Sequence, residues 1–306
     1  MPPKPPTGVN SYVGRFAPSP TGSLHFGSLV AALGSCLEAR QHGGRWLLRM
    51  EDVDQPRCSE AAAADILRAL ERLGFSWDGQ IVVQSQRTAH YQQALELLKA
   101  NNLAYACGCS RKEIGDSVIA IDGAARYPGT CRAGLPVGKF ARAWRLKVAD
   151  AETAFDDGVQ GRVVQNLFRD VGDFVLSRAD GYFAYQLAVV VDDAEQGITH
   201  VVRGADLLDS TPRQICLQHC LNLPMPNYMH LPVALNGRGE KLSKQTGAQP
   251  IDPQRPTQAI AAALDFLGQR PPPDLATASL ADAWRWAREH WQSAMIPRCR
   301  GIRTEW

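Results

Sequence analysis

The segment Arg15-Phe16-Ala17-Pro18-Ser19-Pro20-Thr21-Gly22-Ser23-Leu24-His25-Phe26-Gly27-Ser28 decides the fold. Tyr12 to Ala17 is a short strand that must end at Pro18 and Pro20, because proline cannot donate to a sheet ladder. From Leu24 to about Arg40, the apolar positions Leu29, Val30, Leu33, Cys36 and Leu37 recur at helical spacing, and Gly43-Gly44 closes the element. The segment thus joins a strand to a helix and delivers His25 and glycine backbone to the helix N-terminus. Unpaired N–H groups and about half a unit of positive charge favour phosphate there. An ordinary βα turn with a half-exposed histidine has the same pattern, so this turn alone is weak evidence.

Outward from it, Trp46 to Met50 is a second strand that delivers Glu51, Asp52 and Asp54 into a loop stopped by Pro56. Ser59 to Leu73 is a helix with Ser59 as N-cap and Gly74 as its stop, and Thr88 to Asn101 is another. Alternating β and α elements predict a parallel sheet with helices on its faces. From Ala104 to about Gly181 short mixed segments break this rhythm, which predicts an inserted smaller domain carrying Cys107, Cys109 and Cys131. Tyr182 to Val191 is a buried apolar run and Thr199 to Val202 another strand, followed by a helix from Thr211 with Pro212 in its first turn. Short helices near Gln258–Leu267 and Leu280–Met295 flank the linker Pro271-Pro272-Pro273. The expected boundaries are a lead-in over 1–11, two halves of one catalytic domain over 12–103 and 182–249, an insertion over 104–181 and a helical region over 250–306.

Composition narrows the classes. A chain of 306 residues with 45% apolar and 21% charged residues has the make-up of an ordinary globular protein of roughly two domains. Lys plus Arg number 33 against 31 Asp plus Glu, so no basic excess announces a nucleic-acid partner and any such contact must be local. No apolar stretch approaches the ~20 residues that cross a bilayer, and the Pro-rich start lacks a secretory core, which predicts a cytoplasmic protein. A monomer is expected.

A second motif carries chemistry. Asn236-Gly237-Arg238-Gly239-Glu240-Lys241-Leu242-Ser243-Lys244-Gln245 is a glycine-flexible loop with two lysines, whose ammonium groups suit the charge that builds on a leaving pyrophosphate. By itself it is equally a solvated surface loop. Together with the first segment it resembles the two signatures of class I aminoacyl-tRNA synthetases: His25-Phe26-Gly27-Ser28 is similar to His-Ile-Gly-His, and Lys241-Leu242-Ser243-Lys244-Gln245 to Lys-Met-Ser-Lys-Ser. Arg15 to Gly22 and Arg203-Gly204-Ala205-Asp206-Leu207-Leu208-Asp209-Ser210-Thr211-Pro212-Arg213-Gln214 narrow the resemblance to the glutamyl and glutaminyl branch. It implies a Rossmann-like nucleotide-binding core and an ATP site of His25, Gly27, Ser28, Lys241, Ser243 and Lys244, with His25 and the two lysines catalytic. It also implies a glutamate pocket of Arg15, Ser19, Glu51, Tyr185 and Arg203, and Mg²⁺ bound with ATP. Ser28 and Gln245 depart from the signatures, but the lysine pair survives, which favours an active site over a decayed RNA-binding paralogue. Tyr185 as plain core and Glu51 as an exposed loop carboxylate remain open alternatives.

Three soft ligands at a knuckle spacing suit tetrahedral zinc, which wants a fourth. Glu113, Asp116, Asp122, Tyr127, a remote residue or water are all open on spacing, as are plain reduced thiols. The cluster resembles that of stand-alone glutamyl-synthetase paralogues that modify queuosine, which implies Tyr127 as the fourth ligand to a structural Zn²⁺. Only a short stretch follows Gln245, which is expected to lack an anticodon-reading domain. Trp284, Trp286 and Trp291 among arginines are read first as packing a helix and second as gripping RNA. The truncated core and the cluster together imply activation of L-glutamate with ATP and its transfer to queuosine at the wobble position of tRNA(Asp), with charging of a tRNA 3′ end as the alternative.

Overall fold

The computed structural model describes residues 12–115, 126–242, 249–252 and 254–306. Residues 1–11, Asp116, Asp122, Ser243, Lys244 and Gln245 lie outside this set. In chain order the elements are β1 (Val13–Phe16), α1 (Phe26–Gln41), β2 (Arg45–Met50), α2 (Glu60–Arg72), β3 (Val82–Val83), α3 (Thr88–Ala100), β4 (Ala104–Cys107), α4 (Arg111–Gly115), β5 (Ala143–Leu146), β6 (Glu152–Asp157) and β7 (Gly161–Asn166). They continue with α5 (Leu167–Asp170), β8 (Val175–Ser177), α6 (Tyr185–Glu195), β9 (His200–Gly204), α7 (Thr211–Leu221), β10 (Asn227–Leu231), β11 (Val233–Leu235), α8 (Pro256–Phe266), α9 (Leu280–His290) and β12 (Gly301–Arg303).

Strands β1, β2 and β3 form one parallel sheet, and β9, β10 and β6 another, with β7 antiparallel beside β6. The two sheets adjoin where Thr199 N–H donates to Val13 O at 2.9 Å and Val13 N–H donates to Thr199 Oγ1 at 2.9 Å. An α/β arrangement with parallel sheets flanked by helices results. Strand alternation assigns the faces. Trp46, Leu48 and Met50 enter the core around α1, α8 and α9, while Leu47 enters a separate cluster with Val13, Val201 and Tyr228. Arg49 alternates with the former set and is completely buried.

Helix α1 runs very close to β10. A Cβ on Gly34 would stand 2.6 Å from Leu231 Cδ1, so any larger residue there would have to displace that buried side chain. Ser59 caps α2 by accepting from Ala62 N–H at 3.1 Å, and Gly74, at φ +81°, ends that helix. Helices α8 and α9 pack back on the core: Trp284 Nε1 donates to Leu73 O at 2.8 Å and Trp291 Nε1 to the buried Glu38 Oε2 at 2.7 Å. Those two tryptophans are packing residues, whereas the half-buried Trp286 stacks on His290.

The buried apolar run over 182–191 falls largely within a helix, α6 (Tyr185–Glu195). It is wedged against α3, α7 and β8, so Leu187 to Val191 are all buried and no polar face betrays the helical period. The region 104–181 divides. Strands β4, β5 and β8 form an antiparallel sheet whose Ala104, Leu146 and Leu176 share a core with α3, α6 and α7. The β6–β7 hairpin instead extends the parallel sheet through β10.

Candidate active site and metal cluster

A cleft of about 380 Å³ opens where β1 passes into α1. Arg15, Ser19, Glu51, Tyr185 and Arg203 line it together with His25, Gly27, Ser28 and Lys241. Every described member of the expected ATP and glutamate sets therefore faces one space, although its two halves lie far apart in sequence. His25 is the N-cap of α1: its Nδ1 accepts from Ser28 N–H at 3.3 Å, which leaves Nε2 to donate to Ser28 Oγ at 3.1 Å. Ser28 thus fixes the ring on the helix terminus. Lys241 pairs with Asp206, and Leu242 N–H donates to Ala234 O at 2.7 Å, so the start of the lysine loop is anchored on β11.

The two pocket arginines have opposite surroundings. Arg15 is buried and its fork meets Asp193, at 3.2 Å from Nε to Oδ1 and 3.4 Å from Nη2 to Oδ2. Arg49 Nη2 also donates to Asp193 Oδ1 at 2.7 Å and to Glu51 Oε1 at 3.2 Å. Burial alone would raise the Asp193 carboxyl, but Arg15 and Arg49 outweigh it and hold it below its usual range. Burial raises Glu51 instead, with Arg49 and Arg15 opposing.

Arg203, only 5% exposed, touches neutral groups: His230 Nε2 at 3.0 Å, Thr211 Oγ1 and Gln214 Oε1 at 2.9 Å, and Tyr185 Oη and Leu207 O at 3.4 Å. Among the described residues no carboxylate pairs with it. A desolvated cation held only by neutral acceptors is primed for an anion. Burial and the nearby Glu51 keep the Tyr185 phenol above its ordinary value, so it stays a neutral donor.

The cysteines converge. Cys107, Cys109 and Cys131 have Sγ atoms all within 4.8 Å of one another, 3.6 Å apart for Cys109 and Cys131. Tyr127 Oη lies 3.4 Å from Cys107 Sγ and 3.6 Å from Cys109 Sγ, and accepts from Cys131 N–H at 2.9 Å. Tetrahedral zinc with Zn–S near 2.3 Å and Zn–O near 2.0 Å places sulfurs ~3.8 Å apart and sulfur from oxygen ~3.5 Å. The donor set fits such an ion. Glu113 is engaged elsewhere, with Ser110 and Lys139.

Sequence reasoning passed over Arg49, Asp193, Asp206 and His230. For Arg49, Asp193 and His230 the signal was a polar group inside an apolar context, as in Val189-Val190-Val191-Asp192-Asp193, since buried charges persist only when paired; the exposed Asp206 carried no such signal.

Comparison with known proteins agrees with this geometry. The family described as tRNA synthetases class I (E and Q), catalytic domain, matches residues 12–255. A Dechloromonas aromatica protein named glutamyl-Q tRNA(Asp) synthetase is 62% identical over 289 residues, covering 94% of this chain and 96% of its own. One of the same name from Burkholderia mallei is 57% identical over 300 residues, covering 96% of this chain and all of its own. A glutamate tRNA ligase structure from Elizabethkingia meningosepticum, in complex with its amino acid, superposes with a TM-score of 0.79 at 25% identity, over 96% of this chain and 67% of that one. A glutamate-tRNA synthetase structure from Elizabethkingia anophelis gives a TM-score of 0.80 at 24% identity, over 97% of this chain and 68% of that one. By pattern, sequence and fold, the chain belongs to the class I tRNA synthetases of the E and Q branch, within the group named glutamyl-Q tRNA(Asp) synthetases.

Proposed function

We propose that this protein activates L-glutamate with ATP and transfers the glutamyl group to queuosine at the wobble position of tRNA(Asp). The observation that carries it is Arg203, a buried guanidinium with neutral partners in a cleft shared with a capped His25 and Lys241. In the first step a glutamate carboxylate oxygen attacks the α-phosphorus of ATP and pyrophosphate leaves. A cyclopentene hydroxyl of queuosine then attacks the acyl carbon and AMP leaves.

Each side chain has a task suited to its surroundings. Arg203 receives a substrate carboxylate through the open part of its fork, and Tyr185 supplies a neutral hydroxyl beside it. Glu51 partners the α-ammonium, with Arg15 and Ser19 completing the amino-acid pocket. His25, Gly27 and Ser28 hold phosphate at the α1 N-terminus. Lys241, with Ser243 and Lys244 from the undescribed part of the loop, follows the charge onto the leaving pyrophosphate. Mg²⁺ bound with ATP neutralises phosphate charge when present. Cys107, Cys109, Cys131 and Tyr127 would hold a structural Zn²⁺ in the first part of 104–181, which stands between catalytic halves 12–103 and 182–249 and whose β6–β7 hairpin adds to the catalytic sheet, with 250–306 a helical region.

Glutamate-dependent pyrophosphate exchange without RNA tests the first step, and its absence would leave an idle paralogue. Glutamylation of tRNA(Asp) with and without queuosine tests the acceptor: equal labelling of both, at the 3′ end, would favour terminal charging instead.

A further inference from the structure

Arg203 owes its direction to a buried chain of hydrogen bonds that starts on a different strand. Its Nε donates to His230 Nε2 at 3.0 Å, and His230 Nδ1 faces Asp157 Oδ2 at 2.6 Å. His230 on β10 and the Asp157 side chain on β6 are both inaccessible to solvent. An arginine can only donate, so His230 Nε2 must be an acceptor, and the one proton of a neutral ring sits on Nδ1. Burial and the adjacent Arg203 oppose a second proton. Asp157 is fixed in turn: its Oδ1 accepts from the backbone N–H groups of Val159 at 3.0 Å, Gln160 at 2.9 Å and His230 at 3.1 Å. Only Oδ2 is left for the imidazole.

We propose that His230 and Asp157 are positioning residues for the substrate-carboxylate arginine, with Asp157 setting the histidine tautomer that lets Arg203 dock on Nε2. The inference rests on the reading of Arg203 as the glutamate reader. A carboxylate in place of the imidazole would pair with Arg203 and cancel the charge meant for substrate. The neutral ring orients the guanidinium and leaves that charge available.

The Asp157→Asn variant is the sharp test. Three backbone N–H groups require the amide oxygen at the Oδ1 position, so the NH₂ group must face His230 Nδ1. The ring then carries its proton on Nε2, directly opposed to Arg203 Nε–H. In pyrophosphate exchange, Asp157→Asn and His230→Ala are expected to raise KM for glutamate about ten- to a hundredfold with KM for ATP within about twofold. His230→Gln, which returns an acceptor oxygen, recovers most of the loss. Folded variants whose glutamate KM matches the unaltered protein would overturn the inference. Absence of exchange in the unaltered protein would count against the functional reading instead. Should the variants fail to fold, ¹⁵N NMR of the unaltered protein decides: a neutral ring protonated on Nδ1 supports the arrangement, and an Nε2–H tautomer or imidazolium overturns it.

Discussion

Arg203 and Arg15 show how far one residue type is redefined by its partners. Arg15 is committed to Asp193, whereas Arg203 faces only neutral acceptors. Arg203→Lys keeps the charge but loses the fork, so KM for glutamate should rise by at least about tenfold in pyrophosphate exchange, with the ATP dependence little changed. His230 makes a second prediction. Burial pushes it down to about 4 from an ordinary 6.5, so the unfolded chain binds a proton between these values and the native state does not. Stability is complete above pH 6.5 and falls as the pH drops towards 4, by roughly 3 kcal/mol in all. Urea unfolding at pH 7 and pH 5 should show the loss, and His230→Gln should flatten it. At this scale Arg15, Glu51 and Arg203 were legible in the sequence through their motifs. Arg49 and Asp193 were not, because their pairing depends on a strand and a helix meeting, which no local pattern encodes.

Among elements, the cysteine knuckle at the end of β4 organises an otherwise thin region. Tyr105, Cys107, Tyr127 and Cys131 form a small cluster of their own, so the loop around Tyr127 has little else to bury. On the proposed zinc reading, removing one of the four donors should therefore loosen this region before the catalytic core. Cys131→Ser is expected to abolish metal binding by elemental analysis and to expose 104–115 and 126–146 to proteolysis, with glutamate-dependent exchange largely kept. Tyr127→Phe should weaken metal retention against a chelator about ten- to a hundredfold without losing the fold. The three cysteines were legible because soft ligands cluster visibly in sequence. The run 182–191 shows no helical period because burial around α6 removes the polar stripe that marks a helix. The α1, α2 and α3 helices kept that stripe or clear caps, and their bounds came within about two residues.

Across the whole molecule, residues 300–306 tie together pieces of the cleft that are far apart in sequence. Strand β12 lies parallel on β11, where Val233 N–H donates to Arg300 O at 3.0 Å and Thr304 N–H to Leu235 O at 2.9 Å. Arg300 forks onto Asp209 at 3.0 and 3.1 Å, and Trp306 stacks on Phe26 with centroids 4.9 Å apart. Trp306→Ala should slow pyrophosphate exchange about three- to tenfold with Tm little changed, and Trp306→Phe should recover it. None of this was legible beforehand: a three-residue strand carries no periodicity, and a parallel pairing over such a distance is set by the assembled core.

Trp306 is 42% exposed, whereas Trp46, Trp284 and Trp291 are sealed inside. Its indole rests on Phe26, the residue next to His25, and lines a separate hollow with Leu242, the residue after Lys241. Trp77, Trp144 and Trp286 are only half-buried and emit alongside it, so a change in emission on adding ATP that vanishes in Trp306→Ala is what would make this indole a label-free optical reporter.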